Sequence, residues 1–234
     1  MSPFDRCRAL TFDLFGTVLN LEGSLTPALE PLLRGRAAGG AAEFWRQLRY
    51  RQRIEQYQDS LMMLGHGGYL ETVRRTFSYV ARACGFTPTP ADYDAYMAAW
   101  EQLNPFPECR AALERLRGRY RLVALSNGDE PYLHRLVAGR IGVAFDAVIS
   151  VDAAGAFKPH PAVYRAAARE LQLEVGELAM VSANSFDVLG ARTCGLRGIY
   201  VDRYRLPYEE TVPQYLPDAT VRDFDGLAAL LLDK

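Results

Sequence analysis

Short apolar runs rich in β-branched and aromatic residues alternate with helical patterns along most of this chain. Each run has four to six residues, which is typical of strands buried in a parallel sheet. The runs are residues 9–12, 121–126, 146–150, 178–182 and 198–202. Segments 108–119 and 160–173 carry apolar residues at helical spacing. The alternation predicts an α/β fold with a doubly wound parallel sheet and a Rossmann-like core.

Residues 20–104 interrupt this alternation. Between Gly40 and Trp100 the sequence has helical periods and no strand pattern, and it predicts helices over 41–63, 69–84 and 90–102. We therefore expect two units. Residues 1–19 and 105–234 form the Rossmann-like core, and residues 20–104 form a helical cap domain over the carboxyl edge of the sheet.

The chain has 234 residues, 49% of them hydrophobic, which is the composition of an ordinary globular protein. Its 27 Lys and Arg residues balance 28 Asp and Glu residues, so no basic surface indicates binding to nucleic acid or to an anionic membrane. The sequence has neither a signal-peptide pattern nor a long apolar segment. Its four cysteines are scattered and match no zinc or disulfide pattern. We expect a cytoplasmic protein.

Polar residues end four of the predicted units. They are Asp13, Ser126-Asn127-Gly128, Lys158 and the segment from Ser182 to Asp187. Any one of them alone is compatible with a helix cap or a turn. Ligands of such folds bind outside the carboxyl ends of the strands, so the four together predict a functional site at that edge. Asp13 is the costliest of them, because a carboxylate at the end of a buried strand needs partners.

Four motifs in the same order resemble the haloacid dehalogenase superfamily over about 200 residues, and within it the metal-free (S)-2-haloacid dehalogenases. They are FDLFGT (12–17), LSNG (125–128), KPHPAVY (158–164) and VSANSFDVLGAR (181–192). The resemblance implies a hydrolase that acts on the carbon–halide bond of short 2-haloalkanoic acids and yields 2-hydroxy acids with inversion. The only ligand that it implies is this small substrate. Because relatives are usually homodimers, it also implies a homodimer.

Phe15 and Ala183 stand where phosphatases of the superfamily have acidic residues. The first of those acids protonates a leaving alkoxide, and the second helps to hold Mg²⁺. Without them the site offers a hard cation few oxygen ligands, so we expect no metal and no cofactor. Halide, in contrast, leaves without a proton.

The resemblance also implies a role for each site residue. Asp13 is the nucleophile that forms an ester, and Asp187 activates water. Lys158 is the countercharge of Asp13, and Tyr164 orients Lys158. Further roles are implied for the residues around them. Thr17 and Ser182 hold the carboxylates, and Asn184 supports Asp187 and Lys158.

The N–H groups of Leu14 and Phe15, together with the Ser126 hydroxyl, bind the substrate carboxylate. Asn127 faces the departing halide, and Phe186 forms part of the apolar wall.

The family's halide-binding arginine lies on the first long cap helix, usually after a Trp. An ungapped comparison ending at Ser60-Leu61-Met62 places it at Arg49, whereas the Trp45-Arg46 pair would require about three extra residues. Arg49 is preferred. Because Arg46, Arg49 and Arg53 share one helical face, a neighbour could contribute in either case. Arg51 is interpreted as solvent-facing.

Three alternative functions stay open at this point. The polar cap residues are compatible with another 2-substituted acid, such as azetidine-2-carboxylate, which relatives on this scaffold open. A Mg²⁺-dependent phosphatase is disfavoured by Phe15 and Ala183. A binding protein without turnover is disfavoured by the costly charges of Asp13, Lys158 and Asp187.

Overall fold

The central sheet has six parallel strands in the order β5-β4-β1-β6-β7-β8. The computed structural model describes residues 2–63, 65–208 and 212–233. Its strands are β1 (Ala9–Phe12), β2 (Leu19–Asn20), β3 (Asn104–Pro105), β4 (Arg121–Ser126), β5 (Ala147–Ser150), β6 (Leu178–Ser182), β7 (Arg197–Val201) and β8 (Ala219–Val221). The predicted doubly wound α/β fold is confirmed.

Strand β1 lies at the centre of this sheet, between β4 and β6. Its four residues are all buried, since helices cover both faces of the sheet. The helices are α1 (Leu21–Leu33), α2 (Gly40–Leu61), α3 (Tyr69–Ala83), α4 (Pro90–Trp100), α5 (Cys109–Arg117), α6 (Glu130–Leu136), α7 (Pro161–Leu171), α8 (Ser185–Thr193) and α9 (Phe224–Leu232). The central position of β1 brings the residue after it, Asp13, to the middle of the carboxyl edge.

Helices α1 to α4 lie between β2 and β3, which pair with each other antiparallel. We call residues 20–104 the helical insert. The described part of this segment has no strand apart from the paired ends of β2 and β3. None of the helices described in the structure is long and apolar enough to cross a membrane.

The first helix of the insert, α1, was not predicted. It contains Pro27 and Pro31, and prolines in a sequence usually indicate a turn or a loop. Its buried face is Leu21, Leu25, Leu29 and Leu33, one leucine per turn, and the Asn20 side chain accepts the N–H of Gly23 at 2.9 Å as an N-cap. Packing of this leucine stripe against α2 and α4 holds the helix despite its prolines.

The insert contacts the core along the carboxyl edge of the sheet. Asp129 of the core accepts the N–H groups of Tyr69 and Leu70 at 2.7 and 3.0 Å, and so caps the start of α3. Close to it, Phe157 of the core donates its N–H to the Ser60 hydroxyl at 2.9 Å. These hydrogen bonds join the insert to the core, so they fix the C-terminal end of α2 and the start of α3 over the strand ends.

Candidate active site

Asp13 is buried directly after β1, with 5% of its surface exposed. Its Oδ2 accepts hydrogen bonds from Thr17 Oγ1 at 2.7 Å, Asn184 Nδ2 at 2.8 Å and Ser182 Oγ at 3.4 Å. Its Oδ1 faces Lys158 Nζ at 3.7 Å. The two oxygens therefore differ, since Oδ2 is held by three donors and Oδ1 is turned toward a cation.

Lys158 lies between the two acids of the site. Its ammonium group donates to Asp187 Oδ2 at 2.9 Å and to the Leu125 carbonyl, and the side chain is 1% exposed. Two buried carboxylates this close would repel each other strongly without a cation between them. Lys158 thus makes the acidic pair possible.

The pKa of the Asp187 carboxyl is raised to about 6, chiefly because the group is buried and also because Asp13 carries a nearby charge. Lys158 acts in the opposite direction. The pKa of the Tyr164 phenol is raised well above its usual value by burial and by Asp187. Asp187 is therefore a carboxylate at neutral pH that accepts a proton more readily than an exposed aspartate.

Tyr164 and Asn184 have different partners from those expected. The Tyr164 hydroxyl donates to Asp187 Oδ1 at 2.8 Å and to the Asp187 carbonyl at 3.1 Å, so it orients Asp187 rather than Lys158. Asn184 donates to Asp13 and to the Phe15 carbonyl, the latter at 3.2 Å, rather than supporting Asp187 and Lys158. The cause is topological, because Asn184 follows β6, next to β1, whereas Tyr164 on α7 packs under α8.

A set of unused donors surrounds the turn after Asp13. Within the described residues, the N–H groups of Leu14 and Phe15 have no backbone or side-chain acceptor. The Ser126 hydroxyl is buried at the end of β4, the strand next to β1, and it also has no hydrogen-bond partner among the described residues. Buried donors without partners are costly, so this group suits an anion supplied from outside the chain.

Aromatic rings form the apolar side of the site. Phe15 stacks on Tyr69 of the insert, with ring centroids 4.3 Å apart, and on Tyr132, at 6.0 Å. Phe186 lines the same cavity and lies under Arg53, whose guanidinium carbon is 4.7 Å from the ring centre. The wall therefore includes Phe186, as expected, but its larger part is the cluster around Phe15.

Of the candidate arginines of α2, the structure brings Arg49 and Arg53 into the site. Both line the cavity above Asp13. Arg49 donates to Gln52 at 2.7 Å, and Arg53 donates to Asn184 Oδ1 at 3.4 Å. The alternative, Arg46, is wrong. Its side chain is 71% exposed, pairs with Glu43 and does not line the cavity above Asp13.

Arg51 and Asn127 also differ from expectation. Arg51 pairs with Glu55 at 2.5 Å and lies over Tyr79, so it is half-buried against α3 rather than in solvent, although it is remote from the site. Asn127 lines the cavity, but its Oδ1 accepts the Lys158 N–H at 2.9 Å and its amide donates to Gln56 at 3.4 Å. Asn127 thus connects core and insert, and its expected contact with the departing halide stays a prediction.

Gln56 and Tyr69 line the cavity and were not predicted. A signal for Gln56 exists in the sequence. The buried face of α2 is apolar from Ala41 to Leu48 and becomes polar at its later positions, namely Gln52, Gln56 and Asp59. A face that turns polar without leaving the interior indicates a site beneath it. Tyr69 gives no such signal, because an aromatic residue at a helix start is compatible with ordinary core packing.

One cluster of potential metal ligands occurs among the described residues, namely His66, Asp129 and Asp152, and it lies outside this cavity. Several of its atoms already have partners, although His66 Nδ1 is buried without one among the described residues. His66 Nε2 is 2.9 Å from Asp152 Oδ1, and Asp152 Oδ2 accepts the N–H of Glu130 at 2.8 Å. With Asp129 capping α3, the cluster serves as a contact between insert and core.

A family model for haloacid dehalogenase-like hydrolases matches residues 7–195 of the chain. Haloacetate dehalogenase H-2 of Moraxella sp. (strain B) is 29% identical over 97% of this chain and 98% of its own length. The (S)-2-haloacid dehalogenase of Xanthobacter autotrophicus is 31% identical over 95% of this chain and 85% of its own length.

Solved structures show the same similarity. An L-2-haloacid dehalogenase from Xanthobacter autotrophicus superposes with a TM-score of 0.84 at 26% identity, covering 96% of this chain and 98% of that one. A second structure of that protein, with chloropropionic acid covalently bound, gives a TM-score of 0.82 with the same coverage and identity.

Proposed function

Because the chain belongs to the haloacid dehalogenase-like hydrolase family, we propose that it hydrolyses the carbon–halogen bond of short 2-halo carboxylic acids. The observation that carries the proposal is the asymmetry of Asp13 beside Phe15. One carboxylate oxygen is fixed by three donors, and the other is turned toward a buried ammonium group. The position that would protonate a leaving alkoxide holds a phenyl ring instead.

In the first step, Asp13 Oδ1 attacks the α-carbon of the substrate from the side opposite the halogen. The new C–O bond forms while the C–halogen bond breaks, and the halide departs with the bonding electrons. The substrate carboxylate is held by the N–H groups of Leu14 and Phe15 and by the Ser126 hydroxyl, three donors that have no partner among the described residues. Arg49 faces the halogen and stabilises its growing negative charge.

In the second step, Asp187 takes a proton from water, and the water oxygen attacks the ester carbonyl carbon of Asp13. The carbonyl oxygen is then Oδ2, and the negative charge that it gains is met by Thr17, Asn184 and Ser182. Collapse of this intermediate expels the 2-hydroxy acid, which receives the proton from Asp187. The second proton of the water leaves the Asp13 carboxyl for the solvent, and one oxygen of the regenerated carboxylate comes from water.

The donor pattern supports a reaction without a divalent cation. In the superfamily's phosphatases the metal binds the nucleophile and the carbonyl two residues later. Here the Asn184 amide donates to both of those groups, Asp13 Oδ2 and the Phe15 carbonyl, and the acid after β6 is replaced by Ala183. A cation at that place would face an N–H donor and would have few oxygen ligands.

We further propose that the helical insert acts as a cap and that the protein works as a homodimer. Arg49, Arg53, Gln56 and Tyr69 of the insert complete a cavity whose floor is Asp13. Light scattering of the purified protein measures the oligomeric state.

The proposal is tested by measuring halide release from purified protein. We expect chloride from (S)-2-chloropropionate, with little from the R enantiomer, and the same rate in the presence of a chelator. Absence of halide release from several 2-halo acids by folded protein would refute the dehalogenase, and Mg²⁺-dependent hydrolysis of an aryl phosphate would support the phosphatase instead.

The rate of ester hydrolysis is expected to fall at acidic pH, because burial raises the pKa of Asp187. This pKa is about 6 while Asp13 is charged and is lower in the ester, where the charge of Asp13 is lost. The base form of Asp187 is lost below this pKa, so the rate should fall about tenfold per pH unit there. Formation of the ester does not need this base. A rapid-quench measurement should therefore show an undiminished first burst of halide and a slower steady state at low pH. A steady state unchanged down to about pH 4, the usual pKa of aspartate, would contradict the role of Asp187.

Replacing Arg49 by alanine is expected to lower kcat/KM for (S)-2-chloropropionate by roughly 10²- to 10³-fold, because a charge stabilising the leaving halide is lost. The loss should be smaller for the bromo analogue, since bromide leaves more readily. Arg46→Ala on the same helix is the matched control, because Arg46 is 71% exposed outside the cavity. Equal losses in the two variants would contradict the assignment of Arg49.

A further inference from the structure

In the proposed first step the halide departs toward the helical insert. Displacement in line places the attacking oxygen, the α-carbon and the halogen on one axis, and Asp13 lies at the floor of the cavity. The other side of the cavity includes four residues of the insert, namely Arg49, Arg53, Gln56 and Tyr69. Hydrogen-bond donors on these side chains therefore decide which halides can leave.

The Tyr69 ring, at the start of α3, is fixed by its neighbours. The residue is 1% exposed and stacks on Phe15, with ring centroids 4.3 Å apart and planes within 7° of parallel. The edge contact with Trp100 has a centroid distance of 5.7 Å, and the backbone N–H of Tyr69 is held by Asp129 at 2.7 Å. A donor held in this way needs no rearrangement when charge develops beside it.

The Tyr69 hydroxyl is buried and has no hydrogen-bond partner among the described residues. Burial raises its pKa to about 12, whereas Arg49 and Gln52 act in the opposite direction, as a cation and an amide donor near the phenol oxygen do. Neither offers an acceptor for the phenol proton, since the Gln52 carbonyl oxygen already accepts Arg49 at 2.7 Å. The hydroxyl is thus a donor without an acceptor.

The donors beside Arg49 outnumber the acceptors. The Gln52 amide nitrogen is also buried without a partner in the described part of the chain. Buried donors next to a cation suit an anion. The substrate carboxylate already has donors on the core side, at the Leu14–Phe15 turn and at Ser126. The other anion of the proposed reaction is the halide.

We propose that the Tyr69 hydroxyl donates a hydrogen bond to the departing halide beside Arg49, and that the substrates include 2-fluoro acids. This inference rests on the proposed function. Asp13 Oδ1 forms the C–O bond, the C–F bond breaks, and fluoride leaves with both bonding electrons. The phenol proton stays on Tyr69. Fluoride gains most from this donor, because the smallest halide concentrates its charge and accepts the strongest hydrogen bonds.

The test measures halide release from the 2-fluoro, 2-chloro and 2-bromo derivatives of (S)-propionate. A fluoride electrode follows the first substrate, and each assay has a blank without enzyme. The compared quantity is kcat/KM, which covers binding and cleavage of the carbon–halogen bond. The later hydrolysis starts from the same ester for all three. Wild-type protein is expected to release fluoride above the blank.

Tyr69→Phe removes the hydroxyl and keeps the ring over Phe15. We expect kcat/KM to fall about 100-fold for the fluoro compound and about 10-fold for the chloro compound, the range for a hydrogen bond to a charged group, and less for the bromo compound. Rapid quench with the chloro compound should show an unchanged rate of ester hydrolysis, because the halide has left before that step.

Tyr132→Phe is the matched control. Its ring also stacks on Phe15, at 6.0 Å, but its hydroxyl already donates to the Trp100 carbonyl at 2.6 Å. Loss of this hydroxyl changes packing around Phe15 without removing a donor to the halide. We therefore expect any change in kcat/KM to be the same factor for the three substrates.

The outcomes separate this inference from the proposed function. Wild-type protein that releases chloride and bromide but no fluoride would overturn the inference and leave the dehalogenase standing. Equal losses for the three halogens in Tyr69→Phe would also overturn it, because Tyr69 would then only support Phe15 or Arg49. If wild-type protein releases no halide from any of the three compounds, the dehalogenase proposal itself fails.

Discussion

Replacing Asp13 by asparagine is expected to lower the turnover of 2-halo acids by about 10⁴-fold or more, the scale on which enzymes lose their nucleophile. The amide keeps the size of the side chain, and its oxygen can still accept the bonds from Thr17 and Asn184. It removes the anionic oxygen that faces Lys158. Steady-state halide release measures the loss, and circular dichroism shows whether the variant is folded.

An isotope experiment makes this prediction specific for nucleophilic attack. After one turnover of wild-type protein in ¹⁸O water, the label is expected in the Asp13 carboxylate rather than in the 2-hydroxy acid. Digestion and mass spectrometry of the peptide with ALTFDLFGT locate it. Label that appears in the product of the first turnover would mean that water attacks the substrate directly, with Asp13 as a general base.

Replacing Asp187 by asparagine is expected to stop the reaction after the first step. The variant keeps the shape of Asp187 and its contact with Tyr164 but has no base for the attacking water. Because Asp13 and Lys158 are unchanged, the ester should form and accumulate. We expect one halide per active site in a burst, a steady-state rate lower by about 10³-fold or more, and a protein mass increased by one propionate unit.

The control for this experiment is Asp94→Asn, which neutralises an exposed carboxylate on α4. It is expected to turn over normally and to show no mass increase. An Asp187→Asn variant that loses the burst together with the steady state would assign Asp187 to the first step. In that case the Lys158–Asp187 pair would serve mainly to position Asp13.

The core of the fold was predictable because its signals are local. Five of the six sheet strands are short apolar runs, and all five appear within about one residue of their predicted bounds. The last strand and helix, β8 and α9, were not predicted. Strand β8 has only three residues and none is fully buried, so its place at the sheet edge depends on pairing with β7 rather than on its own pattern.

The main residues of the candidate site were predictable as a set because parallel strands bring their carboxyl ends to one edge. Asp13, Lys158 and Asp187 converge there as expected. Their detailed connections were not predictable. Tyr164 binds Asp187 and Asn184 binds Asp13, and these choices depend on which strands are neighbours and on how α7 packs against α8.

The sequence by itself determined the parallel sheet, the buried acid after its first strand and the phenyl group two residues later. These features can be read from the sequence because strand patterns and motifs depend only on residues close together in the chain. The tertiary structure alone decided which arginines of α2 reach Asp13, that Gln56 and Tyr69 close the cavity, and which Asp13 oxygen stays available. The reason is that these facts depend on how the insert packs over the core, and a helical period specifies a face without specifying what lies opposite it.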